Sequence, residues 1–133
     1  MVSSNWAALT DGLSPEDQAL LERYRDTVLA LDDADSRSAK DDAPHPGRIE
    51  ERVHATEVAF AVKRVFTSAH IKSHRLQLVI DLLREAEHPL LRATFHTTAK
   101  VITHRLDATT AAEIDSLVAL LREARDTVGP GTR

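Results

Sequence analysis

Residues 56–83, TEVAFAVKRVFTSAHIKSHRLQLVIDLL, constrain the fold of this chain more than any other segment. Apolar and polar residues alternate through it three times, with short basic breaks between the runs. A period of two is typical of strands that bury one face. The breaks, Lys63-Arg64 and Ser73-His74, are short enough for hairpins, so the segment predicts an antiparallel meander of three strands. Residues 84–100 are less regular.

Other segments add a fourth strand and two helices. Residues 101–107 alternate in the same way and predict a strand. A helix start at 14–17 (SPED) and apolar residues at helical spacing predict a helix over 15–31. A capping box at Thr110 and Glu113 begins a second amphipathic helix. We therefore expect a two-layer α+β fold, in which the N- and C-terminal helices pack on one face of a four-stranded, mainly antiparallel sheet.

The length of 133 residues fits a single domain over residues 1–133. Within it we expect an N-terminal arm at 1–12, whose Trp6 packs against the core, a mobile acidic loop at 32–49 and a flexible tail at 128–133. No apolar run is long enough to cross a membrane, and the N-terminus lacks the basic and apolar regions of a signal peptide. We therefore expect a cytoplasmic protein.

Charge is spread unevenly along the chain. Residues 1–51 carry a net charge of −7, residues 52–106 carry +5, and residues 107–133 carry −2. The middle segment also holds six of the seven histidines. This distribution either marks a site for an anionic ligand or reflects acidic flanks that neutralise the sheet.

The polar face of the predicted sheet is the candidate binding site, because the two helices cover only the apolar face. Its candidate residues are Lys63, Phe66, Ser68, His70, Lys72, Arg75, Gln77 and Arg105. With no helix left to cover them, these side chains stay open to a partner or a second subunit.

Catalytic and cofactor motifs are missing from the sequence. There is no cysteine, no His-Glu-x-x-His and no glycine-rich phosphate loop. His70 and His74 lie on a predicted strand and its turn, where they do not converge as a helical metal pair would. Ser68, His70 and Asp81 could share a face, but nothing supplies a nucleophile elbow. We expect no catalytic residues, no metal and no cofactor.

Several short stretches occur in a suggestive order: 53–56 (VHAT), 58–60 (VAF), 64–66 (RVF), 88–91 (HPLL), 101–106 (VITHRL) and the closing helix 114–125. Together, over roughly 13–127, they resemble a bacterial family classed as a domain of unknown function and sometimes labelled "predicted transport protein". The resemblance implies an α+β fold, no known reaction and, since members occur beside other domains, an accessory binding role. That family's closing helix tends to end Ala-Tyr, whereas this chain has Ala124-Arg125.

Three hypotheses about function follow. The first is a non-enzymatic binding module whose sheet face contacts a protein partner or a small anionic ligand, a face-to-face homodimer being one version. The second is an accessory domain that binds nucleic acid weakly through its backbone phosphates. The third is an enzyme that uses His70 or His104 as a general base.

Overall fold

The fold is described from a computed structural model, which covers residues 4–38, 49–54 and 56–131. The described residues form ten elements: α1 (Ser4–Thr10), α2 (Pro15–Ser38), β1 (Glu50–Val53), β2 (Val58–Ala61), β3 (Val65–Lys72), β4 (Arg75–Leu82), β5 (Leu91–His96), β6 (Ile102–Ala108), α3 (Ala111–Asp115) and α4 (Val118–Thr127). The predicted α+β class, with helices at both ends of an antiparallel sheet, is confirmed.

The sheet has six strands in the described part of the chain, so the predicted number of four is wrong. Their order is β1-β2-β3-β4-β6-β5, and every neighbouring pair is antiparallel. The predicted meander forms β2, β3 and β4. Ser73 and His74 join β3 to β4 with positive φ angles of 54° and 64°, as a tight two-residue hairpin requires.

The two strands that sequence reasoning missed, β1 and β5, lie at the two edges of the sheet. Strand β1 is only four residues long and reads EERV, so it offers little apolar alternation. Strand β5 falls in the segment predicted to be irregular, and a register shift between Leu91 and Ala93 interrupts its period. Edge strands bury less apolar surface than central ones, so their periodic signal is weaker.

Helices α2 and α4 pack on the face of the sheet that carries the buried aliphatic residues. Tyr24 of α2 meets Phe60 of β2 edge-on, with ring centroids 5.5 Å apart. The Tyr24 hydroxyl donates to Thr67 Oγ1 at 2.9 Å, and Thr67 in turn donates to the carbonyl of Val79 at 2.7 Å. Burial raises the pKa of Tyr24 far above its usual range. This hydrogen-bonded chain ties helix to sheet inside the core.

The helices differ from their predicted bounds. Helix α2 continues to Ser38, so the predicted loop is helical over 32–38, and the remainder, 39–48, lies outside the described residues. The predicted N-terminal arm contains α1, and Trp6 is buried as predicted. The closing helix is broken at residues 116–117 into α3 and α4. Among the residues described, no helix is both long and apolar enough to span a membrane.

One close backbone approach holds the segment that follows α4. The Gly129 carbonyl accepts from the amides of Lys63 and Arg64 at 2.8 and 2.9 Å. A Cβ at Gly129 would lie 2.4 Å from the Arg125 carbonyl oxygen and 3.0 Å from a methyl of Val62. Only glycine leaves room for this contact, which fixes the β2–β3 turn against the C-terminal segment.

Candidate functional site: the open face of the sheet

We use the name open face for the sheet surface opposite α2 and α4. On β3, β4 and β6 its side chains alternate with the core residues, so cross-strand rows can be followed across it. One row runs Ser68, Val79, Arg105 and Ala93, and the next runs His70, Gln77 and Asp107. Ser68, Val79 and Gln77 are half-buried, whereas Arg105 is exposed. The face therefore has a nearly neutral middle and charged surroundings.

Six of the eight candidate residues lie together on the open face: Ser68, His70, Lys72, Arg75, Gln77 and Arg105. Lys72 stands directly opposite Arg75 at the end of the β3–β4 hairpin. Strand alternation was sufficient to place these residues, because β3 and β4 pair without a register shift.

Phe66 does not belong to the open face, so this part of the prediction is wrong. The register between β2 and β3 shifts so that Phe60 faces Thr67 while Ala61 faces Val65, which leaves Phe66 as the extra residue. A β-bulge breaks the alternation of faces and re-aims the side chain. Phe66 is 0% exposed and belongs to the hydrophobic core.

Lys63 is also misplaced in the prediction. Strand β2 ends at Ala61, and Lys63 lies in the following turn, where its amide is bonded to Gly129. Its side chain is exposed but is not part of the cross-strand rows. The alternation of apolar and polar residues continues through Lys63 in the sequence, but β2 ends two residues before it.

A second bulge brings an unpredicted cation to the open face. Leu91 pairs with Leu106 on the helix-covered face, whereas Ala93 pairs with Arg105 on the open face, so Arg92 is the extra residue of β5. Its guanidinium Nε lies 3.4 Å from Oδ2 of Asp107. The bulge thus directs Arg92 towards the same carboxylate that Arg75 approaches from β4.

Asp107 is the most confined charged group on this face. Its side chain is 10% exposed, and Arg75 Nη1 and Arg92 Nε lie 3.6 and 3.4 Å from its Oδ2. Its other oxygen, Oδ1, is shielded from solvent and has no hydrogen-bond partner among the described residues. Native proteins rarely leave such an atom unpaired, so Asp107 depends on the two arginines to offset its charge.

A polar row with one aromatic residue borders this cluster. Thr103 donates to Oδ1 of Asp81 at 2.7 Å, and Thr97 is hydrogen-bonded to Thr103. Partial burial raises the pKa of Asp81, and the Thr103 hydrogen bond opposes that rise. Phe95 stands opposite Thr103 on β5 and is 52% exposed, the largest exposed hydrophobic fraction in the described chain.

The histidines of the described residues do not converge on a metal site. His104 is buried: its Nε2 accepts from the Ala86 amide at 2.8 Å, and its Nδ1 lies 3.1 Å from the Ile102 carbonyl oxygen. His74 is exposed, and its Nδ1 contacts Oδ2 of the buried Asp17 at 2.9 Å. No group of three or more His, Asp or Glu side chains among the described residues could hold a metal ion.

Two clefts among the described residues lie away from the open face. A cleft of about 570 Å³ lies where α2 begins, and Ser14, Asp17, His74 and Thr110 line part of it. A second, of about 430 Å³, lies between α2 and the α3–α4 segment. Neither of these two clefts is lined by open-face residues.

Comparison with family models, with curated proteins and with solved structures finds no match to this chain. The resemblance drawn from the short sequence stretches therefore stays a prediction.

Proposed function

We propose that this protein is a non-enzymatic binding module whose open face holds an acidic segment of a protein partner. The observation that carries the proposal is the charge of the open face. Five exposed cationic side chains surround its neutral middle: Arg52, Lys72, Arg75, Arg92 and Arg105. The acidic groups there are fewer: Glu50 is exposed and paired with Arg52, whereas Asp81 and Asp107 are at least partly withdrawn from solvent. An approaching partner therefore meets positive charge.

The spread of these cations favours a protein partner over a small anion. Arg52 lies on one edge strand and Arg92 on the other, with four strands between them. At the usual spacing of neighbouring strands this separates them by about 24 Å. A surface of this width suits an extended or folded segment better than a single small anion, which would bind in a cleft.

The positions of His70 and His104, the two residues considered as a general base, support a non-enzymatic role. A general base needs a ring nitrogen that can reach a substrate. Both nitrogens of His104 face backbone groups, and His70 lies on the broad sheet face away from the clefts described above.

Binding of a fluorescently labelled oligoglutamate peptide, followed by anisotropy, tests the proposal. We expect binding that weakens steeply from low to physiological salt, because the contacts are between exposed charges. Arg105→Glu should weaken it about tenfold. Arg122→Glu is the matched control, since Arg122 is an exposed arginine of α4 on the helical side. No binding at low salt, or an equal loss in both variants, would overturn the proposal.

A second candidate function is binding of single-stranded nucleic acid, which the exposed Phe95 on the cationic face favours. An aromatic ring among arginines can stack a base while the cations contact phosphates. Such proteins usually present two or three aromatic rings, and Phe66 is buried here. Anisotropy with labelled single- and double-stranded DNA separates the candidates. Tight, salt-sensitive DNA binding that Phe95→Ala abolishes would favour nucleic acid.

A further inference from the structure

We propose that Arg75 and Arg92 jointly bind one carboxylate of the acidic partner segment, and that Asp107 is the positioning residue that holds the two guanidinium groups in place. This inference rests on the proposed function and deepens it by naming the point of strongest contact. It starts from the convergence of side chains from three strands, β4, β5 and β6, on one position of the open face.

The carboxylate of Asp107 keeps Arg75 and Arg92 in place. Asp107 is nine-tenths withdrawn from solvent, and its Oδ1 has no partner among the described residues. A shielded carboxylate that loses its cations is strongly destabilising. Arg75 and Arg92 therefore remain beside Asp107 in the free protein, so little side-chain freedom is lost when a ligand arrives.

The cluster of Arg75, Arg92 and Asp107 carries a net positive charge and has N–H donors that form no hydrogen bond to Asp107. Two guanidinium groups face one carboxylate, which leaves one positive charge uncompensated. The distances of 3.6 and 3.4 Å to Oδ2 are longer than ordinary N–H···O hydrogen bonds, so most of the N–H groups of each fork remain available. Arg75 and Arg92 are 45% and 60% exposed, so those groups can reach a ligand.

A carboxylate of an acidic segment fits this arrangement. The planar guanidinium presents parallel N–H groups that match the two oxygens of a carboxylate. Lys72 stands opposite Arg75 and adds a further positive charge beside the pair. An aspartate or glutamate side chain of a partner would therefore lie over both arginines, on the solvent side of Asp107.

Arg52 provides the contrast on the same face. It forms an ion pair with Glu50, one cation to one carboxylate, and its side chain is 43% exposed. Its charge is already compensated by a flexible, exposed neighbour. We therefore expect Arg52 to contribute little to the anchoring of a partner carboxylate.

The test is anisotropy with the labelled oligoglutamate peptide and the full chain. We expect Arg75→Gln and Arg92→Gln each to weaken binding about tenfold, and the double variant to lose little more than either single one. Arg75→Lys, which keeps the charge but not the fork, should still lose several-fold. Arg52→Gln should change binding less than about twofold. Thermal unfolding of each variant verifies that the fold is intact.

Asp107→Asn tests whether Asp107 positions the two arginines or only reduces the positive charge of the open face. This substitution makes the open face more positive, so a purely electrostatic surface would bind the peptide more tightly. If Asp107 positions the arginines, binding at physiological salt should instead weaken several-fold. Tighter binding would overturn the positioning role.

The outcomes distinguish the two proposals. Equal losses in Arg52→Gln and Arg75→Gln, or an Arg75→Lys variant that binds as well as the unchanged protein, would overturn the shared carboxylate site while the binding function stands. Absence of any peptide binding by the unchanged protein at low salt would overturn both.

Discussion

The helix-covered face and the open face of this sheet differ in how their polar groups are partnered. On the covered face, Tyr24 and Thr67 form a closed hydrogen-bonded chain, and both ring nitrogens of His104 face backbone groups. On the open face, Asp107 has one oxygen without a partner among the described residues, and its two arginines approach no closer than 3.4 Å. The buried polar groups of the covered face are satisfied and stabilise the fold, whereas the unsatisfied oxygen of Asp107 marks the part of the open face that we propose binds a partner.

The largest expected difference between the faces is in the stability lost when a side chain is shortened, and two adjacent residues test it. Leu78 is 1% exposed in the core, whereas Val79 is half-buried on the open face. Leu78→Ala should lower the free energy of unfolding by about 2–5 kcal/mol, because it leaves a cavity. Val79→Ala should cost less than about 1 kcal/mol. Urea denaturation measures both, and equal costs would mean that something covers the open face.

The next effect probes the buried hydrogen bonds. Thr67→Val leaves the Tyr24 hydroxyl buried without an acceptor and should cost about 1–3 kcal/mol of unfolding free energy. Tyr24→Phe removes the hydroxyl itself and should cost about 1 kcal/mol. The double variant should be no less stable than Thr67→Val alone. Strictly additive losses in chemical denaturation would show that the two hydroxyls do not act as a pair.

A smaller effect on stability depends on pH and comes from Asp81 on the open face. The pKa of Asp81 is raised in the folded protein. Between the ordinary carboxyl pKa and this raised value, the Asp81 carboxyl is therefore protonated in the folded protein but ionised in the unfolded chain. Asp81 therefore lowers stability as pH rises from the ordinary carboxyl range through its raised value. Asp81→Asn, whose amide oxygen can still accept from Thr103, should raise the midpoint of thermal unfolding at pH 7 but not at acid pH. A variant that is less stable at pH 7 would contradict this sign.

The smallest effect should come from Arg105. It is exposed on the open face and makes no hydrogen bond or ion pair within the part of the chain that the structure describes. Arg105→Gln should change the free energy of unfolding by less than about 0.5 kcal/mol. A loss comparable to that of Thr67→Val would mean that the open face contributes to folding as well.

The regular part of the fold could be predicted from the sequence because it is periodic. Strand β3 fills the segment between the two predicted breaks and β4 begins directly after the second, and their alternation places Ser68, His70 and Gln77 on one face. The same reasoning fails at Phe66 and Arg92. A bulge depends on how a strand pairs with its neighbour, and that register is not written in the local period.

Strand β5 illustrates why the rest of the site was missed. Leu91, Ala93 and Phe95 alternate as if they shared one face, yet Leu91 pairs on the covered face and the other two on the open face. Asp107 stands at the end of a predicted strand, and nothing in the sequence tells that two arginines reach it. The only hint was the density of basic residues between 52 and 106.

The strand order has a consequence for how the chain is assembled. Strand β6 is the last strand in sequence but lies between β4 and β5, so β4 has an unpaired edge until residues 102–108 are available. A chain truncated after residue 100 would lack β6, so β4 would be left with an unpaired edge. We expect such a truncated chain to aggregate, whereas the 133-residue chain stays monodisperse, and size-exclusion chromatography of the two would reveal the difference.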